Sequence, residues 1–164
     1  MSLTAAILTA SDAGAAGERE DTSGQAIREL LEDAGFEVAK YQIVADEQSI
    51  VEETLREWAD GGEVGLIVTT GGTGLAPRDV TPDATKQVIG YEVPGIAEAM
   101  RAEGLKHTPM SMISRAVAGV RNGVLIINLP GSPKSVRENL TVVLPVLKHA
   151  LELLAGESSE HGTA

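Results

Sequence analysis

Cysteine is absent from all 164 residues. With it go disulfides, thiol nucleophiles and every cysteine-ligated zinc or iron–sulfur centre. Histidine is scarce: His107, His149 and His161 stand far apart and form no HExxH-like pair, so nothing indicates a histidine-built metal site. The only aromatic residues are Phe36, Tyr41, Trp58 and Tyr91, too few for a base-stacking platform. Positive charge is also short, with 13 Lys and Arg against 24 Asp and Glu and a net charge of −11. A nucleic-acid backbone would be repelled by such a chain. No apolar run approaches the length of a membrane span, and Met1-Ser2-Leu3-Thr4 lacks the basic stretch and apolar core of a signal peptide. These absences point to a soluble, cytoplasmic protein with no nucleic-acid or membrane partner. Any phosphate it binds must be held locally, by a bound cation, backbone amides and a few well-placed basic side chains.

What is present suits one domain. A chain of this length buries roughly 70% of the surface exposed when unfolded, enough to dispense with staples. The domain is expected over residues 1–155, and the polar stretch 156–164 reads as a disordered tail. Short apolar runs alternate with helical patterns. Strands are expected over 5–10, 37–44, 66–69 and 124–128, and helices over 24–34, 48–59 and 94–103, with another pattern around Ser111. The second helix has two candidate caps, Asp46 and the Ser49-x-x-Glu52 box. Thr81-Pro82-Asp83 reads as a helix start with a hydroxyl cap. The C-terminal segment reads as helical, kinked before Pro145. Strand, loop and helix in repetition predict an α/β fold, a three-layer sandwich with a mostly parallel central sheet. Ligands of such sheets gather beyond the carboxyl ends of the strands, here the loops after Ala10, Thr70 and Leu129.

Each of those loops carries unusual residues. The first reads Ser11-Asp12-Ala13-Gly14, then Gly17, then Asp21-Thr22-Ser23-Gly24. The second, Thr70-Gly71-Gly72-Thr73-Gly74, places three glycines in four residues after a buried strand, so its amides can form an anion nest. Arg78-Asp79 and the helix start at Thr81 add a cation, a carboxylate and a helix dipole. No Gly-Lys-Ser/Thr follows, which excludes a Walker A loop, and GxGxxG is absent. The third loop, Leu129-Pro130-Gly131-Ser132-Pro133-Lys134, is a stiffened turn in which Ser132 caps a helix carrying Lys134 and Arg137. Asp12, Asp46 and Asp79 all follow predicted strands, and any two could share magnesium. Each is equally a plausible turn or helix cap, and spacing does not select the pair.

Taken together these motifs, from Ser11-Asp12 through Thr70-Gly71-Gly72-Thr73-Gly74…Arg78-Asp79-Val80-Thr81-Pro82-Asp83 to Pro130-Gly131-Ser132-Pro133, resemble the MogA/MoaB family of molybdopterin-binding proteins, which includes the gephyrin G domain. The resemblance implies a trimer that adenylylates molybdopterin with magnesium and ATP and releases pyrophosphate. It further implies that Asp46, in a D-[DE]-x-x-x-[IV] pattern, and Asp79 are the catalytic, metal-holding pair. Ser11, Asp12, Ser23, Gly71, Gly72, Thr73, Gly74, Arg78, Pro130, Gly131, Ser132 and Lys134 would bind the substrate and nucleotide, with Lys86 a further source of charge. The product would pass to a downstream molybdenum-insertion protein. The alternative is a non-catalytic molybdopterin carrier or oligomeric scaffold of the same family. Nucleotide-hydrolysing relatives of the competence-damage type are disfavoured, because they show GGLG and Asp-Asp where this chain has GGTG and Arg-Asp.

Overall fold

A computed structural model describes residues 3–156 of the chain. Of the predicted tail, all but Gly156 lies outside the described residues. Six strands form one sheet in the order β2-β1-β3-β6-β5-β4: β1 Thr4–Ala10, β2 Glu37–Val44, β3 Leu66–Thr70, β4 Tyr91–Glu92, β5 Ala118–Arg121 and β6 Val124–Leu129. The first four in that order run parallel, and β5 and β4 join antiparallel at one edge. Helices α2 (Thr22–Asp33), α3 (Gln48–Asp60), α4 (Thr81–Val88), α5 (Pro94–Leu105) and α6 (Pro133–Leu154) cover the faces, with a short helix α1 at Asp12–Ala15.

Alternation along the strands splits the core in two, because successive side chains of a strand point to opposite faces. Ala5 and Ile7 of β1 join Leu66 and Val68 of β3 against α2, α5 and α6. Ala6, Leu8 and Ala10 join Ile67 against α3 and α4, where Trp58 packs. Both faces of the central strands are therefore covered, as parallel sheets require, and the three-layer expectation holds. Each fully buried Ile or Leu here contributes about 1.5–3 kcal/mol.

Register brings the strand ends level. Ala10 lies opposite Val44, Thr9 opposite Thr70, and Thr70 opposite Leu129. The chain passes from β1 to β2 on one side and returns to β3 on the other, so the crevice at the carboxyl edge opens at a switch of strand order.

Local details differ from expectation in three places. Helix α2 begins at Thr22, capped by Asp21, whose carboxylate accepts from Gly24 N at 2.9 Å. Neither cap predicted for α3 is used: its N-cap is Glu47, with no side-chain bond. Thr81 is the first residue of α4 and not its cap, and among the described residues its buried hydroxyl has no partner. Ser132 does cap α6, accepting from Ser135 N at 3.2 Å, and that helix continues through Pro145.

Candidate active site

Four loops converge on a cleft of about 540 Å³ at the carboxyl edge. The segments after β1 supply Ser11, Gly14, Arg19, Asp21 and Ser23; β2 leads to Asp46; β3 leads to Gly71, Gly72 and Asp79; β6 leads to Gly131 and Ser132. Two helix N-termini open here, that of α2 at Thr22 and that of α6 at Pro133. Their dipoles favour an anion, although Asp21 and Ser132 already accept from Gly24 N and Ser135 N in the two first turns.

The loops are pinned to one another from beneath. Thr70 Oγ1 donates to Pro130 O at 2.6 Å and Ser23 Oγ to Gly131 O at 2.6 Å, so the third loop is tied to the other two. The buried Asn128 donates to Thr69 Oγ1 at 3.0 Å and Thr85 Oγ1 at 2.9 Å, while its own Oδ1 accepts from Val117 N. Glycine is required at the start of the second loop. Gly71 has φ +91, and a Cβ there would lie 2.3 Å from Ala10 O. Gly72, at φ +67, would place a Cβ 2.5 Å from the unpaired Thr81 hydroxyl and 3.2 Å from Asp46 Oδ1.

The two carboxylates at the cleft have unlike surroundings. Asp46 Oδ2 accepts from Asp12 N at 2.9 Å, and among the described residues nothing donates to Oδ1. Partial burial raises the pKa of Asp46 above the usual carboxylate value; the charges of Asp12 and Asp79 add to the rise, against opposing contributions from the Asp12 amide bond and Arg78. Asp79 Oδ2 accepts from Ala76 N at 3.0 Å, closing a turn, and among the described residues nothing donates to its other oxygen. Each aspartate thus spends one oxygen on the fold and keeps one in reserve. Asp46 lies where negative charge crowds, offset in part by Arg78. Among the described residues no group of three or more His, Cys, Asp or Glu side chains converges on a metal position. Two carboxylates with free oxygens, near an unpartnered hydroxyl, suit a hard cation that completes its shell with water and phosphate, as magnesium does.

Of the candidates named from sequence, Ser11, Ser23, Asp46, Gly71, Gly72, Asp79, Gly131 and Ser132 line this cleft. Thr73, Gly74 and Pro130 instead line an adjoining cavity of about 240 Å³ beside Met110 and Ile113. Asp12 stands behind Asp46. Arg78 is engaged, its Nε on Asp12 Oδ2 at 2.6 Å and Nη2 on Asp12 Oδ1 at 2.9 Å and Glu47 Oε1 at 3.0 Å. Lys134 is 81% exposed, 3.8 Å from Glu138, and does not line the cleft.

A family model described as "Probable molybdopterin binding domain" matches residues 6–149. The chain belongs to that molybdopterin-binding family. Similar proteins include the molybdopterin adenylyltransferase of Helicobacter pylori strain J99, 46% identical over 152 residues that cover 92% of this chain and 86% of the relative. The Escherichia coli K12 protein of the same name is 43% identical over 137 residues, covering 82% and 70%. A solved structure, the molybdopterin biosynthesis enzyme MoaB from Thermus thermophilus, superposes with a TM-score of 0.89 at 55% identity and covers 96% of this chain and 99% of its own.

Within this family frame, three residues had escaped the sequence reading as site components. Asp21 is a hub: its carboxylate accepts from Thr9 Oγ1 at 2.7 Å, from Tyr41 Oη and from Gly24 N, so it ties β1, β2 and α2 together at the cleft wall. Burial, aided by that carboxylate, drives the Tyr41 phenol above its ordinary range, so it stays protonated and donates. Arg19 lines the cleft and, among the described residues, makes no ion pair. Arg115 binds Gly74 O at 2.8 Å, Asp79 O at 2.6 Å and the Asp83 carboxylate, holding both ends of the second loop. Arginines thirty or more residues from their partners leave no local signal, whereas Asp21 did, as the cap three residues before Gly24.

Proposed function

We propose that the chain transfers the adenylyl group of ATP to the terminal phosphate of molybdopterin, releasing pyrophosphate, as part of molybdenum cofactor biosynthesis. The curated relatives at 43–46% identity are named for this activity. The observation that carries the reading for this chain is the meeting of Asp46 and Asp79, each with an unengaged oxygen, at one cleft walled by two helix N-termini.

The reaction brings two phosphate groups together, so positioning and charge neutralisation are most of the catalytic task. Asp46 and Asp79 would hold magnesium, which when bound offsets phosphate charge and orients the departing pyrophosphate. The N-termini of α2 and α6, the Gly71-Gly72 backbone and Ser132 receive phosphate oxygens, and Arg19 supplies the mobile positive charge at the rim. The adjoining cavity lined by Thr73, Gly74 and Met110 extends the site for the pterin portion. No general base is needed, because the attacking phosphate is already ionised near neutral pH.

Exposure of Met110, Met112, Ile113 and Leu105, at 46–68%, supports association between copies through the Val93–Ile113 region, and the family resemblance implies that this assembly is a trimer. Among the described residues no helix is long and apolar enough to cross a membrane; a cytoplasmic location completes the reading.

The test is single-turnover adenylylation with purified protein, molybdopterin, ATP and magnesium, comparing the wild type with Asp79→Asn. Asparagine keeps an acceptor for Ala76 N, so the turn survives, while transfer should fall on the order of a hundredfold. Molybdopterin binding with no transfer in the wild type would instead make the chain a carrier.

A further inference from the structure

Asp12 stands one contact away from the proposed transfer centre, and its bonds differ from those of the two aspartates that face the cleft. Strands β1 and β2 pair in parallel with Ala10 opposite Val44. Two residues beyond each, Asp12 and Asp46 continue that register with side chains in place of backbone partners. Asp12 N donates to Asp46 Oδ2 at 2.9 Å, and Asp46 N donates to Asp12 Oδ1 at 2.9 Å. This reciprocal clasp fixes one oxygen of Asp46 and leaves the other, Oδ1, beside the Gly72 α-carbon, where a Cβ would come within 3.2 Å of it.

Both oxygens of the Asp12 carboxylate are meanwhile engaged. Oδ1 accepts from both Asp46 N and Arg78 Nη2, and Oδ2 accepts from Arg78 Nε. A two-pronged guanidinium fixes a carboxylate's plane as well as its position. Arg78 then reaches Glu47, the sequence neighbour of Asp46, at 3.0 Å. One arginine from the loop after β3 thereby grips the loops after β1 and β2 together. Asp12 does not line the cleft and Asp46 does.

We propose that Asp12 is a positioning residue that sets the orientation of the Asp46 carboxylate, with Arg78 as its anchor, and that neither Asp12 nor Arg78 touches cation or phosphate. The assignment rests on the reading of Asp46 as a cation-holding group for adenylyl transfer. It differs from the sequence expectation, in which Arg78 bound phosphate and Asp12 was a candidate ligand. Arg78 also neutralises Asp12, so a carboxylate beside Asp46 does not add an uncompensated charge to the crowding there.

The experiment uses the full chain with Asp12→Ala, Asp12→Asn, Arg78→Ala and Arg78→Lys. Mn2+ binding is titrated with a non-transferable ATP analogue, the magnesium dependence of single-turnover transfer is recorded, and molybdopterin affinity is measured without metal. Asp12→Ala and Arg78→Ala should weaken Mn2+ binding and raise the half-saturating magnesium concentration about tenfold, with metal-free molybdopterin affinity within twofold of wild type. Asp12→Asn retains an acceptor for the Asp46 amide and should fall between. Arg78→Lys should recover part of the loss, because an ammonium meets a carboxylate as a point charge without the fork. The decisive comparison is Asp12→Ala added to Asp46→Asn: if Asp12 acts through Asp46, the double variant is no worse than Asp46→Asn alone. Additive losses would make Asp12 an independent ligand and overturn the proposal. So would a tenfold loss of metal-free molybdopterin binding in Arg78→Ala, or wild-type Mn2+ binding in Asp12→Ala. Full transfer by Asp46→Asn would sink the reading of Asp46 as a cation-holding group, whereas molybdopterin binding without transfer in the wild type would sink the functional reading itself, a separate and distinguishable failure.

Discussion

Replacing Asp46 by asparagine separates its two duties, because the shape is nearly kept and the charge is lost. The substituted amide still offers an oxygen to Asp12 N, but a neutral acceptor in place of a charged one, a loss of about 1 kcal/mol. Against this stands relief of the crowding that raises the Asp46 pKa. That carboxylate is partly open to water and screened, so the relief at neutral pH is at most about 1 kcal/mol. The two nearly cancel, and the melting temperature near pH 7.5 should stay within about 3 °C of wild type. The pH dependence does not cancel. With its folded pKa above the unfolded value, Asp46 binds more protons in the native state between the two, so its penalty appears as pH rises through that window and vanishes below it. The difference in melting temperature, variant minus wild type, should therefore be more positive at pH 8 than at pH 4. Magnesium with an ATP analogue should stabilise the wild type and not the variant, and transfer should fall on the order of a hundredfold, about 2.7 kcal/mol. The assay pairs thermal melts across pH with single-turnover transfer. Transfer within threefold of wild type would refute the reasoning, as would a melting difference independent of pH.

Gly71→Ala should cost about 2–5 kcal/mol, from left-handed backbone strain and a clash with Ala10 O, a backbone atom that cannot swing aside; chemical denaturation would show it. Arg19→Ala should weaken molybdopterin binding by about 1.5–3 kcal/mol, the value of a charged hydrogen bond, and Lys134→Ala by no more than about 1 kcal/mol. Equal losses by titration would contradict the placement of Lys134 outside the cleft. Light scattering should return about 51 kDa, three chains of 17.1 kDa; a 17 kDa species at micromolar concentration would exclude the trimer. Raising salt from 0.01 to 0.15 M shortens the screening length from about 30 to 8 Å, so the association rate of free ATP should increase. A decrease in stopped-flow measurements would mean that local cations outweigh the net charge of −11.

Much of this architecture is legible in the sequence because β1, β3 and β6 are buried on both faces and so appear as mostly apolar runs, with threonines and Asn128 as their polar residues. Strand β2 matched its expected limits although it is largely exposed, since Gly35 and the helix after it bracket it. The antiparallel strands β4 and β5 were not visible: Tyr91–Glu92 is two residues long, and Ala118–Arg121 contains a glycine and an arginine. The cleft loops were legible from their glycines and acids, whereas the roles of the basic residues were not. Arg78 adjoins Asp79 in sequence yet pairs with Asp12, 66 residues away. The caps failed for a related reason. Asp46 is spaced to cap α3, but its carboxylate is drawn across to the loop after β1, a competition that exists only once the strands have paired.

The pairing of the arginines bears on how so acidic a chain accommodates polyphosphate. Arg78 is spent on Asp12 and Glu47, Arg115 on Asp83 and two carbonyls, and Arg121 on Asp60 and Val88 O. The contacts of Arg78 and Arg115 fasten loops, that of Arg121 joins β5 to the ends of α3 and α4, and among the described residues Arg19 is left as the cleft arginine without an ion pair. A cleft lined by free guanidiniums would hold substrate and product phosphates alike, which lowers the ground state along with the transition state and gains nothing in rate. Amides at helix N-termini are fixed in direction by the backbone and need no reorganisation as charge moves between oxygens. A cation held by Asp46 and Asp79 would take the rest of its shell from water and substrate phosphate. On the proposed function, Arg78 and Arg115 serve the geometry of the loops, and the attraction for phosphate would be carried by backbone amides and an ion held by Asp46 and Asp79.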